Sequence, residues 1–217
     1  MEYNKTHKIE IKGEKHIEMN EIINIGIDFS KKKKIEIIRD VLIFFLTFCI
    51  IGWIYEEIVF IIEENMLVNR GVLFGPWLPI YGIGGLFILL LFFKTKDKKI
   101  NIGKVNIRPL IIYIQSTILS TALELITTYI IDFTGGNFKT LWDYSEKNMN
   151  FEGRIALIPD AKFGIIALMA IYVVQPILKK IISNKNQKIL NIISIILTIL
   201  FCIDLISRIW LGSNYVG

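Results

Sequence analysis

Cysteine, histidine and proline are scarce in this chain. Its 217 residues include two cysteines, two histidines and five prolines. Cys49 and Cys202 both lie in long apolar runs, which predicts packing residues rather than a disulfide framework or a CxxC metal pair. His7 and His16 lie in a polar N-terminal stretch, which argues against a histidine-built site in the apolar part. We therefore expect no metal site and no cofactor.

Several catalytic and nucleotide-binding motifs are absent as well. The sequence has no G-x-x-x-x-G-K-[ST] phosphate loop, no G-x-S-x-G elbow and no H-E-x-x-H pair. The chain is therefore no ATPase by itself. Its net charge of +5 does not indicate nucleic-acid binding, because the lysines cluster at the ends of apolar runs, where basic residues set membrane topology.

Apolar residues dominate what is present. They make up 53% of the chain, and the mean hydropathy is +0.52. Five runs are long enough for the roughly 20 residues that a membrane helix needs; they cover residues 38–62, 72–93, 109–131, 155–178 and 188–211. The sequence predicts an all-α, polytopic membrane bundle over residues 37–217, with a broken second helix. Residues 1–36 are predicted to form a polar, flexible cytoplasmic tail.

The basic residues predict how the bundle is oriented. Lysines and arginines concentrate in the N-terminal stretch and in the loops after the second and fourth runs, and the alternate loops carry far fewer. Cytoplasmic loops of membrane proteins hold the excess of basic residues. We therefore expect a multi-pass protein of the bacterial cell membrane, with its N-terminus in the cytoplasm and its C-terminus outside.

Three carboxylates lie inside the apolar runs. Glu56, Glu124 and Asp204 belong to the first, third and fifth runs. Burying a charged carboxylate in hydrocarbon costs at least about 2.5–3.5 kcal/mol, so such residues normally face the protein interior and have a function. A helix rises about 1.5 Å per residue, which puts all three about 20 Å from the inner surface. We expect a polar site in the outer half of the membrane, with Glu56 and Glu124 as substrate-binding residues.

The surroundings of these acids leave alternatives open. We expect Glu56 rather than Glu57 to face the interior, because adjacent helix positions point about 100° apart. Asp204 and Arg208 are spaced for an intrahelical ion pair, which fits as well as a functional role. A stripe of hydroxyl residues shares the face of Glu124 and fits either a cavity wall or a helix–helix interface; it comprises Thr117, Ser120, Thr121 and Thr128.

The second run begins with an irregular segment from Asn69 to Gly82. Its prolines and glycines cannot make a regular membrane helix, and irregular backbone at membrane depth is tolerated where it is buried in protein or lines a cavity. The helix that follows presents free N–H groups beside Arg70, which suits a phosphate or carboxylate group. A bent helix with Trp77 as an interfacial anchor fits equally well. Asn69, Arg70 and Tyr81 are the candidate binding residues here.

The long loop before the fourth run adds a second polar group. It holds Trp142, Asp143 and Tyr144, followed by Asn150 and Arg154. Trp and Tyr are typical of membrane interfaces. Asp143 and Arg154 could pair with each other or bind a lipid headgroup. All five residues are candidates for substrate binding.

These motifs together resemble a known family of small bacterial integral membrane proteins, described as putative ABC-transporter type IV, or CmpB-like permeases. The resemblance covers residues 38–210. It rests on Gly52-Trp53-Ile54-Tyr55-Glu56, the segment from Asn69 to Gly84, Glu124, Trp142-Asp143-Tyr144-Ser145 and the stretch from Asn150 to Arg154. It implies a permease that works with a separate ATPase subunit, as a homo-oligomer in contact with membrane lipids. The chain departs from the family pattern at Lys162-Phe163-Gly164, where members carry Trp-Gly.

Two functions fit these observations. The first is a permease-like transporter component. The second is a membrane-embedded enzyme or binding protein acting on a lipid or lipid-linked substrate at the outer leaflet. In the enzyme, Glu56 or Glu124 would be a general base, and Arg70 and Arg154 would hold a phosphate. The nearly all-aliphatic or aromatic inner halves of the first and fifth runs count against a continuous pathway, but the resemblance points to transport, and we expect a permease.

The predicted orientation can be tested by adding positive charge. Four lysines introduced within residues 133–137 should disturb the topology, because that loop is predicted to lie outside. A lysine at Leu91, beside a predicted cytoplasmic loop, should leave the topology unchanged. Labelling of loop cysteines by a membrane-impermeant maleimide measures the outcome. Unaltered labelling in the four-lysine variant would count against the orientation.

Overall fold

The computed structural model of the chain describes residues 25–29, 32–65, 73–98, 100–140, 142–184 and 186–211. Most of the predicted tail lies outside these residues, as do Asn69 and Arg70, so the tail boundary and its flexibility stay predictions. Within the described part, five helices are long and apolar enough to cross a membrane. The prediction of an all-α membrane bundle with five spans is confirmed.

The helices follow the predicted runs with shifted ends. Four spans are single helices: α1 (Lys34–Glu64), α2 (Pro79–Asp97), α3 (Arg108–Phe133) and α6 (Gln187–Leu211). The fourth span is composite and consists of α4 (Leu157–Met169), a π-helical turn (Ala170–Val174) and α5 (Gln175–Asn184). α2 begins later than the predicted run because proline suits a first helical turn and interrupts a helix elsewhere.

Two short antiparallel hairpins occupy the connections. β1 (Asn101–Ile102) pairs with β2 (Val105–Asn106) between α2 and α3. After a 3₁₀ turn at Phe138–Thr140, β3 (Asn150–Phe151) pairs with β4 (Ile155–Ala156) just before α4. The second hairpin closes the loop that carries five of the predicted site residues.

The chain divides into two compact units, of which the first comprises residues 1–90 and 175–217 and the second residues 91–174. In the first unit, α1 and α2 approach each other at glycines. A Cβ on Gly52 would lie 2.2 Å from Tyr81 Cγ, and one on Gly82 would lie 2.5 Å from Cys49 Sγ. Small residues let membrane helices pack backbone to backbone, where close van der Waals contact drives association.

The irregular segment is part of the core of this unit. The backbone N–H of Leu78 donates to the carbonyl of Cys49 at 3.1 Å, which ties the segment to α1. Leu73 and Trp77 pack with Cys49, and Phe201 of α6 meets the Trp77 ring edge-on at 5.8 Å between centroids. The alternative of Trp77 as an interfacial anchor is wrong, because its ring is buried in this core.

A buried ion pair joins the start of α1 to α6. Arg39 donates to Asp40 from Nε at 2.9 Å and from Nη2 at 2.7 Å, and both side chains are buried. Arg39 Nη1 donates to Asn191 Oδ1 of α6 at 2.8 Å, and Lys32 also pairs with Asp40. The basic residues near the N-terminus, Arg39 among them, are predicted from the sequence to set topology. The structure adds a packing role, because the same guanidinium holds two helices together.

In the second unit, α3 packs closely against α4. A Cβ on Gly164 would lie 2.4 Å from Thr117 Oγ1 and 2.5 Å from Tyr113 Cδ2. No side chain fits there unless the side chains of Thr117 and Tyr113 move. Gly164 is the residue of the Trp-Gly family pattern that this chain keeps, and its packing explains why a glycine is needed.

The π-helical turn of the fourth span lies beside Lys96. The Lys96 ammonium donates to the Ile171 carbonyl at 3.2 Å and lies over the rings of Phe93 and Tyr172. A π-helical turn changes the regular ladder of helical hydrogen bonds. Lys96 supplies an additional donor at this irregular point.

The glycine contact between α1 and α2 gives a stability prediction. Gly52→Ala should destabilise the protein by about 1–3 kcal/mol, because the new methyl group overlaps the base of the Tyr81 side chain. Gly84→Ala is the matched control, since nothing lies within 4 Å of a Cβ at that position. Thermal unfolding of the purified chain in detergent micelles compares the two variants. Equal melting temperatures would contradict the packing described here.

Candidate functional site

Glu56 has a partner on the neighbouring helix. The Tyr81 hydroxyl donates to Glu56 Oε1, and the Tyr81 ring lies 6.1 Å from that of Tyr55. The structure therefore brings together two of the predicted site residues. Glu57 is buried, at 7% exposed, whereas Glu56 is half-buried, so the expectation that Glu56 rather than Glu57 faces the interior was wrong.

Asp204 accepts hydrogen bonds from the irregular segment. The backbone N–H groups of Phe74 and Gly75 donate to its two carboxylate oxygens at 3.0 and 2.7 Å. Arg208 lies over the Phe74 ring, 5.3 Å from its centroid. The segment thus presents two N–H groups to an anion, the protein's own Asp204. The sequence placed an anion site at the start of the helix that follows, beside Arg70, and that site stays a prediction.

The second unit contains the cluster that matters most here. Glu124 on α3 accepts a hydrogen bond from the Tyr144 hydroxyl at 3.1 Å. The Asp160 carboxyl of α4 lies within hydrogen-bonding reach of the Glu124 carboxyl. Asp160 is only 5% exposed. Glu124 Oε2 and Asp160 Oδ1 are both buried without a hydrogen-bond partner. We call Glu124, Asp160 and Tyr144 the acid cluster.

The hydroxyl stripe of α3 faces the protein, as its spacing predicted. Thr117, Ser120, Thr121 and Thr128 are all buried or half-buried. Thr128 Oγ1 donates to the Leu125 carbonyl at 2.7 Å, as membrane threonines commonly do. Thr117 Oγ1 is instead buried without a partner, against Gly164. The stripe is a helix–helix interface at Gly164, and it contains one unsatisfied hydroxyl.

Arg154 fastens the loop between α3 and α4. Its Nη2 donates to Asp132 Oδ2 at 2.5 Å and its Nε to Glu152 Oε2 at 3.1 Å. The guanidinium lies between the rings of Tyr129 and Phe138, 4.3 Å from each centroid. The hydrogen bond to Asp132, together with Glu152, raises the pKa of Arg154. The predicted phosphate ligand is therefore engaged by two carboxylates of its own chain.

The remaining loop residues hold the backbone of the turn. Trp142 Nε1 donates to the Arg154 carbonyl at 3.0 Å. Asn150 accepts from the Gly153 N–H at 2.9 Å and donates to the Lys147 carbonyl at 2.8 Å. These contacts keep the loop closed around the hairpin. They also hold the backbone on either side of Tyr144, whose side chain is half-buried.

Asp143 forms a small turn of its own. The hydroxyl and backbone N–H of Ser145 donate to Asp143 Oδ1 at 2.5 and 2.9 Å, and Lys139 pairs with it at 3.1 Å. These donors, the Ser145 hydroxyl first, lower the pKa of Asp143 to about 2. Asp143 and Arg154 have different partners, so the pairing considered from the sequence is not the one that forms.

The structure assembles the predicted residues in two groups. Glu56 and Tyr81 meet in the first unit, and Glu124 and Tyr144 meet in the second. The convergence of Glu56, Glu124 and Asp204 stays a prediction, and Asn69 and Arg70 lie outside the described residues. Sequence reasoning missed Asp160 as a site residue, although an acid near the start of an apolar helix, one turn before Gly164, was a visible signal.

Comparison with protein families gives a match over most of the chain. The model of the family described as putative ABC-transporter type IV matches residues 43–209. The chain belongs to this family. Comparison with curated proteins and with solved structures found no match. Family membership and five membrane helices fit a membrane transporter component.

The fastening role of Arg154 can be tested by exchange. Arg154→Lys keeps the charge but loses the planar fork and the stacking between the two rings. We expect backbone amides of residues 134–156 to exchange with deuterium several-fold faster, as followed by mass spectrometry. Lys147→Ala, at an exposed position of the same loop, should leave the exchange unchanged. Equal protection in both variants would show that Arg154 does not order the loop.

Proposed function

We propose that this chain is the membrane-embedded component of an ABC-type transporter, with its polar binding site at the acid cluster. The observation that carries the proposal is the proximity of two carboxyl groups, those of the half-buried Glu124 and the buried Asp160. Helix packing in a membrane does not require carboxyl groups. An acid within a membrane span is by default a candidate functional residue, and here two meet from different helices.

The unsatisfied oxygens support a binding role. A buried polar atom without a partner costs about 1–3 kcal/mol. Glu124 Oε2 and Asp160 Oδ1 are two such atoms at one place. A ligand that binds both oxygens would remove this free-energy cost.

The position of the cluster fits a site in the outer half of the membrane. Glu124 lies on the half of α3 nearer the loop of residues 134–156, about 24 Å along the helix from Arg108. The distribution of basic residues assigns that loop to the outer side. A ligand would reach the cluster from the outside, past Tyr144.

The contacts of Arg154 favour transport over lipid chemistry. An enzyme acting on a phosphorylated lipid needs a cation that is available to the phosphate. Arg154 is held by Asp132 and Glu152 and covered by two aromatic rings, and its one nitrogen without a partner, Nη1, is buried. The lipid-directed enzyme remains the second candidate, with Arg70 as the phosphate ligand it would need.

The proposal includes partner subunits. The sequence has no phosphate loop, so ATP would be hydrolysed by a separate subunit. Five spans enclose little volume, and a homo-oligomer would provide a wider pathway. Membrane lipids complete the surroundings of the apolar helices.

The transport proposal predicts the effect of neutralising the acid cluster. Membrane vesicles from cells with and without the chain would be compared for ATP-dependent flux of a panel of labelled inorganic ions, amines and amino acids. We expect one flux that needs the chain and falls about tenfold or more in Glu124→Gln and Asp160→Asn, since each variant removes a charge-bearing contact. Glu146→Gln changes an exposed loop carboxylate in the same way and should transport normally.

Two outcomes would contradict the proposal. Full flux in the Glu124→Gln, Asp160→Asn double variant would separate transport from the acid cluster. A chain-dependent change in the lipids of the same vesicles, without any chain-dependent flux, would replace the transporter by the lipid-directed enzyme. Immunoblotting for equal amounts of each variant in the membrane excludes a trivial loss of protein.

A further inference from the structure

The acid cluster offers only one kind of chemistry to a ligand. An ionised carboxylate accepts hydrogen bonds and cannot donate them. Tyr144 supplies one donor, and it is directed at Glu124 Oε1. Two further oxygens of the cluster, Glu124 Oε2 and Asp160 Oδ1, are buried hydrogen-bond acceptors without a donor. A ligand that binds these two oxygens must therefore be a hydrogen-bond donor or carry positive charge.

We propose that Glu124 and Asp160 together bind one small monovalent cation, either a proton or a sodium ion. This deepens the proposed function, since it names the ligand class of the same site. Two neighbouring carboxylates repel each other, and the repulsion is strong where water is scarce. A cation held between them removes the repulsion and satisfies both free oxygens at once.

The charges around the cluster support a cation rather than an anion. On α4, Lys162 is two residues from Asp160 and on a different face of the helix. In the 3₁₀ turn, Lys139 is paired with Asp143. Next to β4, Arg154 is neutralised by Asp132 and Glu152. Lys139 and Arg154 are thus engaged by other carboxylates, and no hydrogen bond from Lys162 reaches Glu124 Oε2 or Asp160 Oδ1.

The number of oxygens favours a monovalent over a divalent ion. Calcium takes about six to eight oxygen ligands, and magnesium requires a nearly regular octahedron. Among the residues that the structure describes, no three His, Cys, Asp or Glu side chains come together as a metal site would require. Two carboxyl groups suffice for a shared proton. Together with nearby hydroxyl or carbonyl oxygens they can hold sodium.

Thr117 provides an independent observation in the same interface. Its hydroxyl is buried without a partner, although threonines in helices usually donate to the carbonyl one turn back. It lies against Gly164, which is one turn along α4 from Asp160. Thr117, Glu124 and Asp160 thus each contribute one buried oxygen without a partner to the faces on which α3 and α4 pack.

The test is binding to the purified full-length chain in lipid nanodiscs, without transport. Infrared difference spectra would report the carbonyl band of a protonated carboxyl group, and labelled sodium would report metal binding. For a proton, we expect a band that is present in the wild type, lost in Glu124→Gln and in Asp160→Asn, and unaffected by sodium. For sodium, we expect bound label that is displaced by acid and falls about tenfold in the same variants. Glu146→Gln should match the wild type in both arms.

The inference fails if the wild-type chain shows neither a protonated carboxyl band nor bound sodium. It also fails if both signals survive in Glu124→Gln and Asp160→Asn. The wild-type measurements decide this even if a variant does not fold. Cation binding without ATP-dependent flux would leave this inference standing and overturn the transporter proposal. ATP-dependent flux through a chain that binds no cation would overturn this inference and leave the transporter proposal standing.

Discussion

Polar groups inside membrane helices must find their partners within the protein, because hydrocarbon provides none. The first unit meets this requirement locally. Asp40 pairs with Arg39, Glu56 accepts from Tyr81, and Asp204 accepts from the backbone of the irregular segment. The contacts of Glu56 and Asp204 join different elements, and Arg39, which pairs with Asp40, also donates to Asn191 of α6. The interactions that satisfy the acids are therefore the ones that position α1, α2 and α6.

The second unit departs from this rule at several buried side-chain atoms that lack a partner, two of which belong to neighbouring acids. Glu124 meets another acid, Asp160, instead of a basic group. The meeting is possible because Gly164 has no side chain, so α4 can approach the Thr117 face of α3. Close packing that elsewhere only stabilises the bundle here brings two carboxyl groups together.

Two groups that could bind an anion are engaged by the chain's own carboxylates. The N–H groups of the irregular segment bind Asp204, and Arg154 binds Asp132 and Glu152. What is left unsatisfied in the described residues of the acid cluster is acceptor oxygen. This balance of donors and acceptors, more than the presence of charged residues as such, favours a positively charged ligand. The ion pairs of Arg154 with Asp132 and Glu152 stabilise the loop that carries Tyr144.

Much of the fold followed from local properties of the sequence. About 20 apolar residues span a membrane wherever they stand in the chain, and Gly-Pro segments interrupt a helix regardless of context. The five spans, the break before Pro79 and the inward face of the hydroxyl stripe could therefore be predicted. The contact of Glu124 with Asp160 and the burial of Glu57 could not. They depend on the rotation and register of each helix, and apolar residues that face lipid look the same in a sequence as those that face protein.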